Sequence, residues 1–192
     1  MDQQSLVGEY YLAGVPEMAS GFNLNADNSF QFFLAYGALD RYGSGEWKED
    51  QGRVVFQSKP WSGKDFALIE SKTVEDDAIV IKITDANEQV LRHVRASLGE
   101  DTTGYWQLAD DSGLIQLQKQ NMVSGISLLF EFCPERVSAF RIENPFHNYF
   151  EFRFEPWIVE YFFDNFRLDI MDEGLKGAHP MMEGRDFYYE RH

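Results

Sequence analysis

The sequence predicts an all-β protein that begins with an antiparallel meander. Apolar residues alternate with polar residues in nearly every apolar run, which is the repeat of a strand with one buried face. Clusters of Asn, Asp and Gly separate the runs, as turns require. Aromatic residues, which favour sheets, make up 16% of the 192 residues. Together these observations predict little helix.

The meander lies between Met18 and Pro60. Its most regular run is Phe30 to Tyr36, in which every second residue is large and apolar. A short strand at residues 7–13 precedes the meander. Four consecutive strands are predicted within residues 18–24, 30–36, 42–48 and 53–58, separated by turns at 25–28, 37–40 and 50–52.

The second half shows the same period. Phe150 to Phe154 alternates strictly and is its clearest strand. Further strands are predicted near residues 66–69, 79–84, 90–98, 105–108, 114–118, 127–132 and 136–142.

Residues 157–171 allow two interpretations. A helix that begins at Pro156 places four residues on one face: Ile158, Tyr161, Phe162 and Asn165. Alternatively, two strands flank a turn at Asp164-Asn165. The aromatic content favours the strands.

The segment Ser71–Ala78 is polar and acidic and is the best candidate for a linker. It lies between two complete β patterns. We therefore predict two domains with separate cores, residues 1–75 and residues 76–192.

The chain is strongly acidic, with a net charge of −15 from 32 acidic and 17 basic residues. Up to Glu75 there are 11 acidic and 6 basic residues, and from Asp76 onward there are 21 and 11. This balance disfavours nucleic acid and anionic membranes, which bind through Lys and Arg. The negative charge keeps the protein soluble, or it complements a basic protein partner that binds the more acidic half, from Asp76 onward.

Cys133 is the only cysteine, so no disulfide forms within the chain, and we expect it to be a core residue. The first residues, MDQQSLVGEYYL, lack the basic and apolar regions of a signal peptide. No apolar run approaches the ~20 residues of a membrane span. We therefore predict a soluble, cytoplasmic chain, or a periplasmic one if a leader has been removed.

The turn pattern of residues 7–60 resembles the lipocalin-like domains of bacterial copper-resistance and envelope-stress lipoproteins. The shared features are Gly14-Val15-Pro16, Ser20-Gly21, Gly45-Glu46-Trp47 and a closing strand after Gly52. The resemblance implies a small lipocalin-like barrel in residues 1–75. Those lipoproteins carry a Cys pair where this chain has Glu17, so the resemblance implies no metal or redox role here.

Residues 79–118 resemble the carboxypeptidase-regulatory or transthyretin-like domains. The matching features are the strand and turn Ile81 to Asp85 and the turn Asp110 to Gly113, although no Gly follows Asp85. This resemblance implies a prealbumin-like β-sandwich in residues 76–192. The whole chain resembles a bacterial family that joins two such pieces, a likeness that implies a fold and no activity.

No group of residues has the spacing of a catalytic or metal site. The four histidines, His93, His147, His179 and His192, lie far from one another and from Cys133. The nucleophile elbow, the phosphate-binding loop and the dinucleotide turn are also missing from the sequence. We therefore predict no transition metal, no cofactor and no enzymatic activity.

The most distinctive short run is Tyr36 to Arg41. It is a hairpin loop whose Asp40 and Arg41 bond the local backbone, or it is the rim of a barrel mouth that binds a small ligand. On the second interpretation the ligand-binding residues are Tyr36, Asp40, Arg41 and Trp47. Trp47 is also a natural core residue.

Two classes of function remain open. One is a non-catalytic binding or interaction module, including an acidic inhibitor or immunity-type protein for a basic partner. The other is a carrier that holds a small apolar ligand inside the barrel. Large aromatic side chains tend to fill a small barrel, which argues against a cavity.

Overall fold

The computed structural model describes residues 3–99 and 104–192. Within these residues the chain is all-β, as predicted, with two short 3₁₀ helices at Gln3–Leu6 and Glu88–His93. The strands are β1 Gly8–Leu12, β2 Met18–Leu24, β3 Ser29–Tyr36, β4 Leu39–Asp50, β5 Arg53–Gln57, β6 Phe66–Lys72, β7 Ala78–Thr84, β8 Val94–Leu98, β9 Gln107–Leu108, β10 Leu114–Gln118, β11 Gly125–Phe130, β12 Val137–Arg141, β13 Tyr149–Phe154, β14 Phe166–Met171, β15 Gly174–His179 and β16 Met182–Arg191.

Eight strands form a closed barrel in the order β1-β16-β15-β14-β5-β4-β3-β2. Every neighbouring pair is antiparallel. The predicted meander is confirmed, because β2 to β5 pair consecutively. The barrel needs three further strands from the end of the chain, β14 to β16.

The barrel is interrupted in sequence between β5 and β14, which are neighbours in space. Phe56 pairs with Phe166, and the chain between these strands folds as a second unit. The units comprise the residues up to Trp61 together with Val159–His192, and Ser62–Ile158. This grouping differs from the predicted division into 1–75 and 76–192. Strand pairing is decided by contacts between distant residues, which composition does not reveal.

The polar segment Ser71–Ala78 is a loop inside the second unit. The Asn148 side chain accepts a hydrogen bond from the Val74 N–H at 2.8 Å. Its amide group donates to the carbonyls of Val74, Asp76 and Ala78 at 3.1, 3.3 and 3.4 Å. Asn148 is buried and ties the loop to β13, which explains why a polar composition does not mark a domain boundary here.

The second unit contains two four-stranded sheets, β10-β7-β13-β6 and β12-β11-β8-β9. Aromatic rings connect them, since Phe154 of β13 lies 5.1 Å from Phe130 of β11. A buried ion pair joins Arg136 Nε to Asp65 Oδ2 at 2.7 Å. Arg136 also donates to the Ile158 carbonyl at 2.7 Å, so it holds the last residue of the unit. As expected, Cys133 is buried.

Aromatic side chains form the core of the barrel. Phe163 lies just before β14, and its ring centroid is 5.2 Å from the rings of both Phe30 and Phe32. Gly43 makes room for it, because a Cβ at that position would lie 2.7 Å from the Phe163 ring. The segment that precedes β14 therefore fills the barrel and does not simply connect the units.

The ambiguous residues 157–171 form no helix in this structure. The second of the two predicted strands is present as β14. The first is reduced to an isolated bridge between Glu160 and Tyr42. The preference for strands is therefore confirmed at β14.

Replacement of Phe163 by Ala should lower the free energy of unfolding by about 3–5 kcal/mol, because it leaves a cavity among packed rings. Tyr36→Ala is the matched control, since Tyr36 is 49% exposed on the same barrel and should change stability by less than about 1 kcal/mol. Urea denaturation measures both. Equal effects of the two substitutions would contradict the packing role of Phe163.

Replacement of Asp65 by Asn should destabilise the second unit by about 3–5 kcal/mol, because it removes the buried carboxylate that pairs with the Arg136 guanidinium at 2.7 Å. Asp169→Asn provides the comparison, since it breaks the ion pair between Asp169 and Arg53. The Arg53 side chain is 50% exposed and the Asp169 side chain is 58% exposed. An exposed pair contributes about 0–1 kcal/mol. Thermal unfolding of the two variants should show this difference, and a stable Asp65→Asn protein would refute it.

Candidate functional site

Side chains occupy the interior of the barrel. The Phe22 ring lies 4.5 Å from that of Phe56 and 5.0 Å from that of Phe32. Trp47 is only 2% exposed and belongs to the same core. An eight-stranded barrel encloses about as much space as such side chains fill. The outer face is therefore where this barrel can offer a binding surface.

Two rows of residues cross the outer face of β1 to β4. The pairing register aligns Tyr11, Gly21, Phe33 and Tyr42, which we call the aromatic row. The same register aligns a second row, two residues away on each strand, which we call the polar row: Glu9, Asn23, Gln31 and Ser44. Residues paired across antiparallel strands share one face of the sheet, so each row is contiguous.

The three rings of the aromatic row are exposed on the outer face of the barrel. Tyr11, Phe33 and Tyr42 are 38%, 38% and 44% exposed. The rings of Tyr11 and Phe33 meet edge to face at 5.9 Å across Gly21. A Cβ on Gly21 would clash with the Tyr10 carbonyl oxygen and would lie 3.0 Å from the Phe33 ring, so glycine at this position leaves room for the ring over β2. The His192 ring packs edge-on against Tyr11 at 5.0 Å and ends the row.

The polar row offers one carboxylate, two amides and one hydroxyl. Glu9, Gln31 and Ser44 are exposed and Asn23 is half-buried. The Tyr11 hydroxyl donates to Glu9 Oε2 at 2.7 Å, which connects the two rows. This hydrogen bond, with a smaller effect of burial, raises the pKa of Tyr11, so its phenol stays protonated at neutral pH.

The two rows line a groove of about 550 Å³. Ten residues surround it: the members of the two rows other than Gly21, together with Phe22, Phe32 and Gly43. This volume is within the range of about 300–1,000 Å³ typical of small-ligand sites. The groove is therefore the candidate functional site of the barrel.

A buried hydrogen-bond chain supports the aromatic row from inside the barrel. The Ser20 hydroxyl donates to the Phe33 carbonyl at 3.0 Å, and His179 Nε2 lies 3.1 Å from the same hydroxyl oxygen. The Met181 N–H donates to His179 Nδ1 at 3.1 Å, so Nε2 carries the ring proton. Burial lowers the pKa of His179 to about 4, which keeps the ring neutral.

The other end of the aromatic row is fixed by the chain that returns to the barrel. The Tyr161 N–H donates to the Tyr42 carbonyl at 2.6 Å. Arg41 donates from Nε to the Val159 carbonyl at 3.3 Å and from Nη2 to the Glu160 carbonyl at 3.2 Å. Burial, assisted by the charge of Glu160, raises the pKa of Tyr42.

The structure separates the four residues predicted to bind a ligand. Tyr36 and Asp40 are exposed near the β3–β4 turn, whereas Arg41 points inward and is 2% exposed. Trp47 lies further along β4, and its Nε1–H donates to the Asn25 carbonyl at 3.1 Å. Asp40 is on the outer face of β4, two residues from Tyr42. Asp40 therefore faces away from Arg41 and Trp47, because alternate residues of β4 face opposite sides of the wall.

Sequence reasoning did not identify the groove. One signal was present, because Tyr10-Tyr11 and Phe32-Phe33 place large aromatics on both faces of a strand. One of each pair fills the core, as Tyr10 and Phe32 do, and the other must then lie outside. The alignment of the outer residues depends on strand register, which the sequence did not specify.

Over residues 3–99 and 104–192, the structure contains no cluster of three or more His, Cys, Asp or Glu residues suited to a metal. The helices in that part of the chain are too short to cross a membrane. Comparisons with known protein families, with curated proteins and with solved structures found no match to this chain.

His179 should make the stability of the barrel depend on pH. The unfolded chain protonates this residue near its ordinary pKa of 6.5, but the folded barrel protonates it only near pH 4. Stability should therefore be highest above pH 6.5 and fall by up to about 3 kcal/mol as the pH drops to 4.

The His179→Gln variant should lack this contribution, so its stability should fall less between pH 6.5 and 4. Urea denaturation at several pH values measures the difference, and the carboxylates shared by both proteins cancel in the comparison. Identical pH dependence in the two proteins would show that His179 is not buried in its neutral form.

Proposed function

We propose that this chain is a non-catalytic binding module that holds its ligand in the groove on the outer face of β1 to β4. The observation that carries the proposal is the aromatic row, in which Tyr11, Phe33 and Tyr42 are exposed side by side. Aromatic side chains supply large contact areas and are favoured at binding surfaces. The polar row beside them provides the hydrogen bonds that orient a ligand.

The packing of the barrel supports this proposal over a carrier of an apolar ligand. Phe22 is 1% exposed and Phe163 is 2% exposed, and their rings lie 5.8 Å apart in the middle of the barrel. An apolar ligand would have to displace such rings. Removing buried aromatic packing costs about 3–5 kcal/mol per side chain, which weighs against an interior site.

The chemistry of the groove supports a non-catalytic role. A general acid or base works best with a pKa near the operating pH. The pKa values of Tyr11 and Tyr42 are both raised, so both phenols stay protonated and neither acts as a base at neutral pH. Glu9 is the one carboxylate that lines the groove, and it accepts the Tyr11 hydrogen bond.

The distribution of charge gives no reason to prefer one unit as the site of a basic partner. The barrel unit has 16 acidic and 8 basic residues, and the unit Ser62–Ile158 has 16 and 9. The predicted concentration of charge in residues 76–192 depended on dividing the chain after residue 75, whereas the two units of the structure divide it after Trp61 and Ile158. Binding to a basic protein stays a prediction.

We also infer that the barrel is lipocalin-like and that the second unit is a prealbumin-like β-sandwich. Eight antiparallel strands that follow one another around the wall support the first inference. Ring contacts between the two sheets support the second, since Phe140 of β12 lies 4.8 Å from Phe152 of β13. The insertion after β5 is a departure from a simple lipocalin-like chain.

The proposal can be tested by comparing what the groove retains from a lysate of the source organism. The groove variant is Phe33→Thr with Tyr42→Thr, since Thr favours strands and removes both rings. The matched control is Phe146→Thr with Tyr105→Thr, which removes one Phe and one Tyr that are 68% and 78% exposed outside the barrel. Native mass spectrometry detects small and macromolecular ligands alike.

We expect the unaltered protein and the control to retain the same added mass, and the groove variant to lose it. Circular dichroism checks that all three proteins are folded. Retention that is equal in all three, or an absence of added mass on the unaltered protein, would contradict the proposal.

A further inference from the structure

We propose that the ligand of this groove is a neutral oligosaccharide, an inference that rests on the proposed function. The structure combines a row of exposed rings with a parallel row of amide, hydroxyl and carboxylate groups. The first row suits the apolar faces of sugar rings, and the second suits their hydroxyls.

The aromatic row matches the shape and the apolar face of a short sugar chain. Neighbouring strands lie about 4.8 Å apart, so Tyr11 and Tyr42, three strand steps apart, span roughly 14 Å. The C–H groups on one face of a pyranose ring carry partial positive charge. They pack well on aromatic faces, which carry partial negative charge. Phe33 lies between the two tyrosines, and its ring is inclined at 63° to that of Tyr11.

The polar row matches the hydroxyl groups of the same ligand. It runs about 7 Å from the aromatic row, since adjacent outward residues on a strand are two positions apart. The amides of Asn23 and Gln31 each donate and accept hydrogen bonds, as sugar hydroxyls do. The Tyr11 hydroxyl holds Glu9 at 2.7 Å, so one acceptor is already positioned before a ligand arrives.

Charge argues for an uncharged ligand. Neither row contains Lys or Arg, and Glu9 carries a negative charge. Phosphate and carboxylate ligands are usually bound by Arg or Lys. A nucleotide, an acidic sugar or a phospholipid headgroup would face Glu9 without such a partner in either row.

The dimensions of the groove argue against a protein partner. Ten residues line it. A standard protein–protein interface takes roughly 20–30 residues from each partner. A groove of about 550 Å³ instead suits a ligand of a few rings.

The test is a titration of the full chain with β-1,4-linked hexasaccharides of glucose, xylose, mannose and N-acetylglucosamine. Backbone amide chemical shifts in NMR monitor the titration. We expect at least one of the four to give saturable shifts at the backbone amides of Gly21, Asn23, Gln31 and Ser44. The Phe33→Thr, Tyr42→Thr variant should show no saturation.

A second variant separates hydrogen bonding from ring stacking. Gln31→Val keeps the aromatic row and should weaken binding about tenfold, the effect of about 1.4 kcal/mol in lost hydrogen bonds. Gln118→Val is the matched control on β10 of the other unit, where Gln118 is also exposed, and it should bind as the unaltered protein does.

The inference is overturned if none of the four saccharides gives saturable shifts, or if the groove variant binds as well as the unaltered protein. If the groove still retains a mass from the lysate in that case, the proposed function stands and the ligand has a different chemistry. If retention from the lysate is also independent of the groove, both proposals fail.

Discussion

The barrel depends on the packing of Phe163 among the aromatic rings of its wall. The ring lies within 5.2 Å of both Phe30 and Phe32, although it comes from the other side of the inserted unit in sequence. The carbonyl of Phe163 accepts a hydrogen bond from the Ser58 N–H at 2.8 Å. One residue therefore completes the core and lies beside the end of β5. Burial of a large apolar side chain contributes about 1.5–3 kcal/mol.

The packing of Phe163 explains how the barrel closes although a second unit is inserted between β5 and β14. Closure requires β14 to pair with β5 and β16 to pair with β1, both across long separations in sequence. Such pairings carry a large entropic cost until the hydrophobic contacts form. Tyr161, Phe163 and Phe166 supply such contacts, because their rings pack against Phe32 and Phe56 of the barrel wall.

A filled interior also supports our proposal that a ligand binds on the outer face. Each strand of the wall has two faces. On β2 and β3, Phe22 and Phe32 are buried in the core, whereas Asn23, Gln31 and Phe33 lie on the outer face and line the groove. On the inner side, buried His179 contacts the Ser20 hydroxyl, which donates to the backbone carbonyl of Phe33. For the proposed ligand, a packed core below the groove would reduce the ordering cost of binding.

The sequence by itself determined the local features of this protein. Alternating residues predicted the strands of the meander, and turn residues such as Asn28, which adopts a φ of 68°, predicted where they end. These features depend on neighbours only a few residues apart. The closure of the barrel, the boundaries of the units and the two rows of the groove depend on which strands pair and in which register. Tertiary structure decided them, because a side chain such as Phe33 gains its neighbours, Tyr11 and Tyr42, from other strands.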